Sequence, residues 1–171
     1  LEEVPLSTFG SLRNSIEHRT ENEFLVLYGD ILINFDLFRF KKSFMNFEDS
    51  DTHIFTRYSN HPDDSDKIVI NNDGYITKFI SKKELTQSSD PATTTSGIYL
   101  AKRSFFDKLK HWASQKCDLY SEVLPKDGML VKSTAYHSIE FILDVGTVKR
   151  YRFAEKLLKE KYFYRKSYLF P

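Results

Sequence analysis

Residues 23–37, EFLVLYGDILINFDL, constrain the fold more than any other stretch of this chain. Phe24 to Tyr28 is an unbroken apolar run of β-prone residues that stops at Gly29-Asp30. That pattern predicts a strand buried on both faces and ended by a tight loop. Asp30 then lies at the strand's carboxyl end, the edge of an open α/β sheet where diverging loops leave a crevice for ligands. A carboxylate there can hold a metal ion or a ribose hydroxyl, whereas a plain Gly-Asp turn would do neither.

Along the chain, strand and helix signals alternate. Pro5, Ser7, Thr8 and Gly10 form a loop feeding a helix over Leu12 to His18, with Ser7 or Thr8 as its cap. Asp36 caps a helix over Leu37 to Phe47, whose Leu37, Phe40, Phe44 and Phe47 share one apolar face. Thr52 to Tyr58 is a strand, and HPDDSD at 61–66 an acidic turn. Lys67 to Ile70 and Tyr75 to Ile80 flank Asn71-Asn72-Asp73-Gly74, a hairpin signal because Asn and Gly tolerate positive φ. Gln87 to Thr94 is a polar loop, and Thr95 to Ala101 a buried strand. A helix capped by Ser104 and a short one at 118–124, stopped by Pro125, come next. Strands over Met129 to Tyr136 and Glu140 to Leu143 follow, then the turn Asp144-Val145-Gly146. Thr147 caps a last helix whose stripe is Val148, Tyr151, Ala154, Leu157 and Leu158. The fold class is α/β.

Composition narrows the function. With 25 basic and 24 acidic residues the net charge is +1, which argues against nucleic acid or an anionic membrane surface as partner. Lys, Arg, Tyr and Phe interleave from Lys159 to Pro171, but in a nearly neutral chain this segment reads as a linker or the start of a further segment. Cys117 is the only cysteine, so no intramolecular disulfide forms. No apolar run approaches the roughly 20 residues of a membrane span, so the expected location is the cytoplasm. No serine has a G-x-S-x-G setting, and the five histidines lack the spacing of a helical zinc site. A pair of carboxylates is left, Asp30 and Asp144, each after an apolar strand and beside a glycine. If both strands lie in one sheet the two reach one crevice, and such a pair suits Mg²⁺, which takes oxygen ligands and substrate phosphates. That chemistry is phosphoryl or nucleotidyl transfer.

The ordered set of phrases resembles the sugar-1-phosphate nucleotidyltransferases. PLSTFGSL at 5–12 is similar to the family's P-L-G-T-A-G-A-L, and LVLYGD to its strand ending in Gly-Asp. Asp73 to Phe79, TSGIY at 95–99 and DVGT at 144–147 match three further phrases in the family's order. HPDDSD and the F-x-S-K ending at Lys82 are most similar to the heptose 1-phosphate guanylyltransferase branch. The resemblance covers about residues 1–158. It implies a Rossmann-like, mixed and mostly parallel sheet with flanking helices, and a reaction between a sugar 1-phosphate and a nucleoside triphosphate. It further implies that Asp30 and Asp144 hold catalytic Mg²⁺ and that Lys82 neutralises the sugar phosphate. Gly10 would approach the nucleobase, and Thr95, Ser96 and Gly97 would border the sugar, with Asp66 among the substrate-binding residues.

Departures from the family keep alternatives open. Ser7 replaces a glycine, Thr95 an asparagine, and Ser81 stands where many relatives have glutamate. The six glycines contain no G-x-G, so the family's opening strand and its G-x-G-T-R-(L/M) phosphate loop have no counterpart in these residues. The expectation is a partial nucleotidyltransferase domain over 1–158, active only within a longer chain and prone to self-association alone. A non-catalytic nucleotide-sugar-binding or interaction module is the rival reading. Assembly as a homo-oligomer and fusion to a downstream domain both stay open.

Overall fold

The computed structural model describes residues 4–59, 65–84, 93–112 and 116–160. The acidic segment 60–64, most of the polar loop before residue 93 and the tail 161–171 lie outside these residues.

The longest strand, β6 (Thr93–Lys102), is buried along most of its length, and its two faces serve different cores. Side chains alternate across a strand, so Ile98 and Leu100 point to one core and Tyr99 and Ala101 to the other. The first core is aromatic, with Phe35, Phe40, Phe44 and Phe55. The second gathers Phe9, Phe105, Phe106, Leu109 and Leu119. Burying each such side chain contributes about 1.5–3 kcal/mol, in keeping with the absence of charged residues from Ser96 to Ala101.

The main sheet has six strands. On one edge β6 pairs with β3 (Thr52–Tyr58), which pairs in turn with β7 (Ser133–His137). The other edge of β6 is shared: β1 (Glu23–Leu27) takes Ile98 to Lys102, and β4 (Lys67–Ile70) meets Thr94. The strand β5 (Ile76–Ile80) closes the hairpin with β4. In that turn the Asn71 Oδ1 accepts from the Asp73 and Tyr75 amides, and Gly74 has φ +86°, as the Asn-Asn-Asp-Gly signal requires. Since β6 is antiparallel to both β1 and β3, and β3 is parallel to β7, the strands β1, β3 and β7 run one way and β6 the other. This is the mixed α/β sheet implied by the sequence. A second, two-stranded sheet pairs β2 (Ile31–Asn34) with β8 (Phe141–Asp144).

The structure corrects several details. The strand β1 is not buried on both faces. Its Phe24 and Val26 pack on the second core, while Leu25 and Leu27 are 40% and 44% exposed because no described element covers that face. The first helix, α1, spans Ser7–Ile16, and neither Ser7 nor Thr8 caps it: Leu6 stands at the N-cap. The Thr8 hydroxyl is taken by Asp118 Oδ2 at 2.8 Å instead, and it accepts from the Leu119 amide. Ser7 has φ +63°, so the serine keeps the left-handed backbone that a glycine adopts more readily. The cap of α2 (Leu37–Met45) is as expected, with Asp36 accepting from the Arg39 amide. Ser104 does not cap α3 (Arg103–Lys108), because its hydroxyl donates to the buried Asp51 at 2.6 Å. Pro125 does not stop a helix. It sits in the first turn of α4 (Leu124–Asp127), where its missing N–H costs nothing, after a π-helical turn at Leu119–Val123. In α5 (Val148–Lys159), capped by Thr147, Ala154 is buried but Val148, Tyr151 and Leu158 stand in solvent. Among the described residues no helix is long and apolar enough to cross a membrane.

His53 of β3 is fully buried in the aromatic core, stacked against Phe40 and Phe44. Its Nδ1 lies 2.8 Å from Thr134 Oγ1 and its Nε2 lies 3.1 Å from Ser43 Oγ. Burial lowers its pKa from 6.5 to about 4, so the fold holds the neutral ring. Stability is therefore full above the ordinary histidine value and falls as pH drops towards the folded value, where only the unfolded chain gains a proton. Urea unfolding at about pH 7 and about pH 5 should show an acid loss of about 2 kcal/mol from this group. The variant His53→Gln should be less stable at neutral pH and lack that part of the acid slope.

Candidate active site

A crevice opens where the shared edge of β6 passes from β1 to β4. The Tyr28 amide still bonds the Gly97 carbonyl at 2.9 Å, extending the ladder by one step, and then the chain turns away at Gly29-Asp30. Gly97 has φ +76°, and a Cβ there would lie 2.9 Å from Cγ of Tyr28. Only glycine lets the tyrosine ring lie against the strand at this point. The β4 side is fixed by Thr94, whose hydroxyl donates to the Asp66 carbonyl at 2.8 Å. The space between has a volume of about 410 Å³. It is lined by Tyr28, Asp30, Arg57, Asp66, Lys82, Thr94 to Gly97, Asp118, Tyr120, Asp144 and Arg150, among others.

The small sheet brings the two distant carboxylates together. Asp144 is the last residue of β8 and pairs with Ile31, next to Asp30, while the Val145 amide donates to the Asp30 carbonyl at 2.7 Å. Thus Asp30 and Asp144 do not meet as the ends of two strands in one sheet, as the sequence suggests. Asp30 sits between a strand of the main sheet and the first residue of the small one, which delivers it to Asp144. The Gly146 amide donates to Asp144 Oδ1 at 2.7 Å. A Cβ built on Gly146 would lie 3.0 Å from Asp30 Oδ2 and 3.2 Å from Asp144 Oδ1. Oxygens of both carboxylates therefore converge on the space beside one side-chain-free residue. Arg150, in the first turn of α5, forms a short ion pair with the other oxygen of Asp144.

Elsewhere in the lining the Lys82 amide donates to Asp66 Oδ1 at 2.9 Å, tying the turn after β5 to the start of β4. Burial, with Asp118 nearby, pushes the Asp66 carboxyl above its ordinary value despite that bond. Asp118 caps the π-helical turn through the Tyr120 and Ser121 amides. Burial likewise raises the Tyr28 and Tyr120 phenols, so both stay protonated at neutral pH.

The chain and its fold have counterparts among known proteins. The chain is 24% identical over 165 residues to a D-glycero-α-D-manno-heptose 1-phosphate guanylyltransferase of Aneurinibacillus thermoaerophilus, covering 93% of this chain and 66% of that enzyme. Its fold matches the crystal structure of HddC from Yersinia pseudotuberculosis complexed with GMP-PN, with a TM-score of 0.65 at 21% identity, over 91% of this chain and 64% of that one. It also matches a putative glucose-1-phosphate thymidylyltransferase from Bacillus anthracis, with a TM-score of 0.72 at 16% identity, over 97% and 66%. The fold is that of the sugar-1-phosphate nucleotidyltransferases. No family model matches the chain. The chain thus spans slightly less than two thirds of the length of the guanylyltransferase and of HddC.

Within this nucleotidyltransferase fold, Asp30, Asp144, Lys82, Asp66, Thr95, Ser96 and Gly97 all line the one crevice. Ser96 is buried, and its hydroxyl is engaged by the Phe55 carbonyl at 2.9 Å. Gly10 is set apart: it is buried in α1, its amide reaches the Cys117 carbonyl at 3.4 Å, and it does not line the crevice. Sequence reasoning missed Arg57, Arg150, Asp118, Tyr28 and Tyr120. Arg57 carried a signal, since an arginine within an otherwise buried strand needs a partner. Arg150 carried one too, as a cation one turn from the DVGT carboxylate.

Gly97→Ala should destabilise the chain by about 1–3 kcal/mol in urea unfolding, because the new Cβ meets the Tyr28 ring in a backbone conformation unfavourable for alanine. A change under about 0.5 kcal/mol would show that the Tyr28 ring is not held against this strand.

Proposed function

We propose that the crevice is the active site of a sugar-1-phosphate nucleotidyltransferase, with Asp30 and Asp144 holding Mg²⁺. The observation that carries this reading is the convergence of the two carboxylates beside Gly146, in a crevice that also presents Lys82, Arg57 and Arg150. Carboxylate oxygens are the ligands Mg²⁺ prefers, and the glycine keeps the space next to them open. When bound, the ion would offset negative charge on substrate phosphates.

In the reaction, an oxygen of the sugar 1-phosphate attacks the α-phosphorus of the nucleoside triphosphate in line. The bond from that phosphorus to the bridging oxygen of the β-phosphate breaks, and pyrophosphate leaves with the electron pair. The protein needs no covalent intermediate, so its contribution is positioning and charge. Lys82 brings a positive charge to the crevice that the carboxylates line, and its amide ties the backbone there to Asp66. Thr95 and the Gly97 backbone border the sugar. The 24% identical relative, a heptose 1-phosphate guanylyltransferase, and the GMP-PN complex of HddC support a heptose 1-phosphate and GTP as the substrates.

Asp30→Asn and Asp144→Asn should each weaken Mg²⁺ or Mn²⁺ binding by about tenfold or more in calorimetry and abolish pyrophosphate release from GTP with heptose 1-phosphate, while leaving unfolding midpoints near the wild type. Gly146→Ala should weaken the metal as well, because its methyl group displaces both carboxylates. Unaltered metal affinity in either aspartate variant would reject that residue as a ligand. Lys82→Ala should raise KM for the sugar phosphate more than KM for the nucleotide.

A further inference from the structure

The crevice contains a cation that neither the sequence phrases nor the proposed chemistry assigns. Arg57 is the penultimate residue of β3, paired across the sheet with Thr94, and it is half-buried at the crevice wall. Its Nη1 donates to the Ile142 carbonyl at 2.6 Å, which anchors the guanidinium to β8 two residues before Asp144. Its Nε is buried and has no acceptor among the described residues. The neighbouring arginine is differently placed, since the guanidinium of Arg150 is engaged by the Asp144 carboxylate.

A guanidinium is planar, stays charged and presents its N–H groups as a fork, so anchoring Nη1 fixes the direction of the remaining Nε–Nη2 edge. A buried donor without an acceptor is costly. The anchored arginine faces a crevice whose other polar groups are mostly carboxylates and hydroxyls, none of which takes that edge. A tetrahedral oxyanion supplies two acceptor oxygens at the spacing of the fork, and a phosphate carries the charge to match. We propose that Arg57 is a phosphate-binding residue of this crevice, its Nε–Nη2 edge receiving two oxygens of a phosphate group. Only the identity of that phosphate, the one carried by the sugar, rests on the nucleotidyltransferase reading.

The test uses inorganic phosphate, glucose 1-phosphate and glucose as probes on the 171-residue chain, its Arg57→Met and Arg57→Lys variants, and Lys110→Ala as a surface control. Calorimetry should show phosphate and glucose 1-phosphate affinity lowered about tenfold or more in Arg57→Met. In Arg57→Lys the loss should be smaller, because the charge survives without the fork. Lys110→Ala should bind as the wild type does, and urea midpoints report whether each variant is folded. Independently of any variant, the Nε–Hε resonance of Arg57 should shift on titrating phosphate into the wild type. An unmoved Arg57 resonance at saturating phosphate, or wild-type affinity in folded Arg57→Met, overturns the proposal. Arg57-dependent phosphate binding together with wild-type Mg²⁺ affinity in both Asp30→Asn and Asp144→Asn would sustain the proposal and reject the reaction assigned above.

Discussion

The architecture depends on one strand edge that serves two partners. Along the same side of β6, hydrogen bonds run to β1 up to Gly97 and to β4 at Thr94. A single strand cannot fill both stretches while its chain turns out at Gly29-Asp30, so a gap must open between them. The gap is stable because each lip is bonded: the Tyr28 amide to Gly97 on one side, and the Thr94 hydroxyl to the Asp66 carbonyl on the other. The backbone at Gly97, with φ +76° under the Tyr28 ring, lies at the point where the partner changes. The crevice is thus a consequence of sheet pairing.

The second constraint is the small sheet. Pairing β2 with β8 carries the chain away from the main sheet and returns residue 144 to residue 30 across a sequence separation that no local motif spans. The resulting carboxylate pair lines a crevice that also presents Lys82, Arg57 and Arg150. Arg57 is tethered to β8 through Ile142, and Arg150 to Asp144, so both arginines also fix the strand that bears the carboxylate. Charge and architecture are coupled here, because moving β8 would move all three groups together.

Much of the fold is legible in the sequence. The hairpin at Asn71 to Gly74 reads directly because its turn chemistry is local, and the Asp36 and Thr147 caps read for the same reason. The ordered Gly-Asp, TSGIY and DVGT phrases locate the crevice residues because the first and last sit where a strand ends, and TSGIY lies where the neighbour of β6 changes from β4 to β1. What fails depends on tertiary partners. Thr8 and Ser104 have the composition of caps, yet each hydroxyl is claimed by a distant aspartate, Asp118 and Asp51. The run from Phe24 to Tyr28 has the composition of a doubly buried strand, yet one face of β1 has no cover among the described residues. Arg57 signals only that it needs a partner, and its place in the crevice follows from its register with Thr94 and its hydrogen bond to the Ile142 carbonyl.

The proposed reaction stands on Asp30 and Asp144 forming one divalent-cation site in this crevice. The most direct measurement is titration of the isotopically labelled chain with substoichiometric Mn²⁺, following paramagnetic broadening of backbone amides. Broadening should centre on Asp30, Val145 and Gly146, spread to the residues lining the crevice, and be reversed by excess Mg²⁺. Broadening centred elsewhere, or none at these three amides, would contradict that assignment.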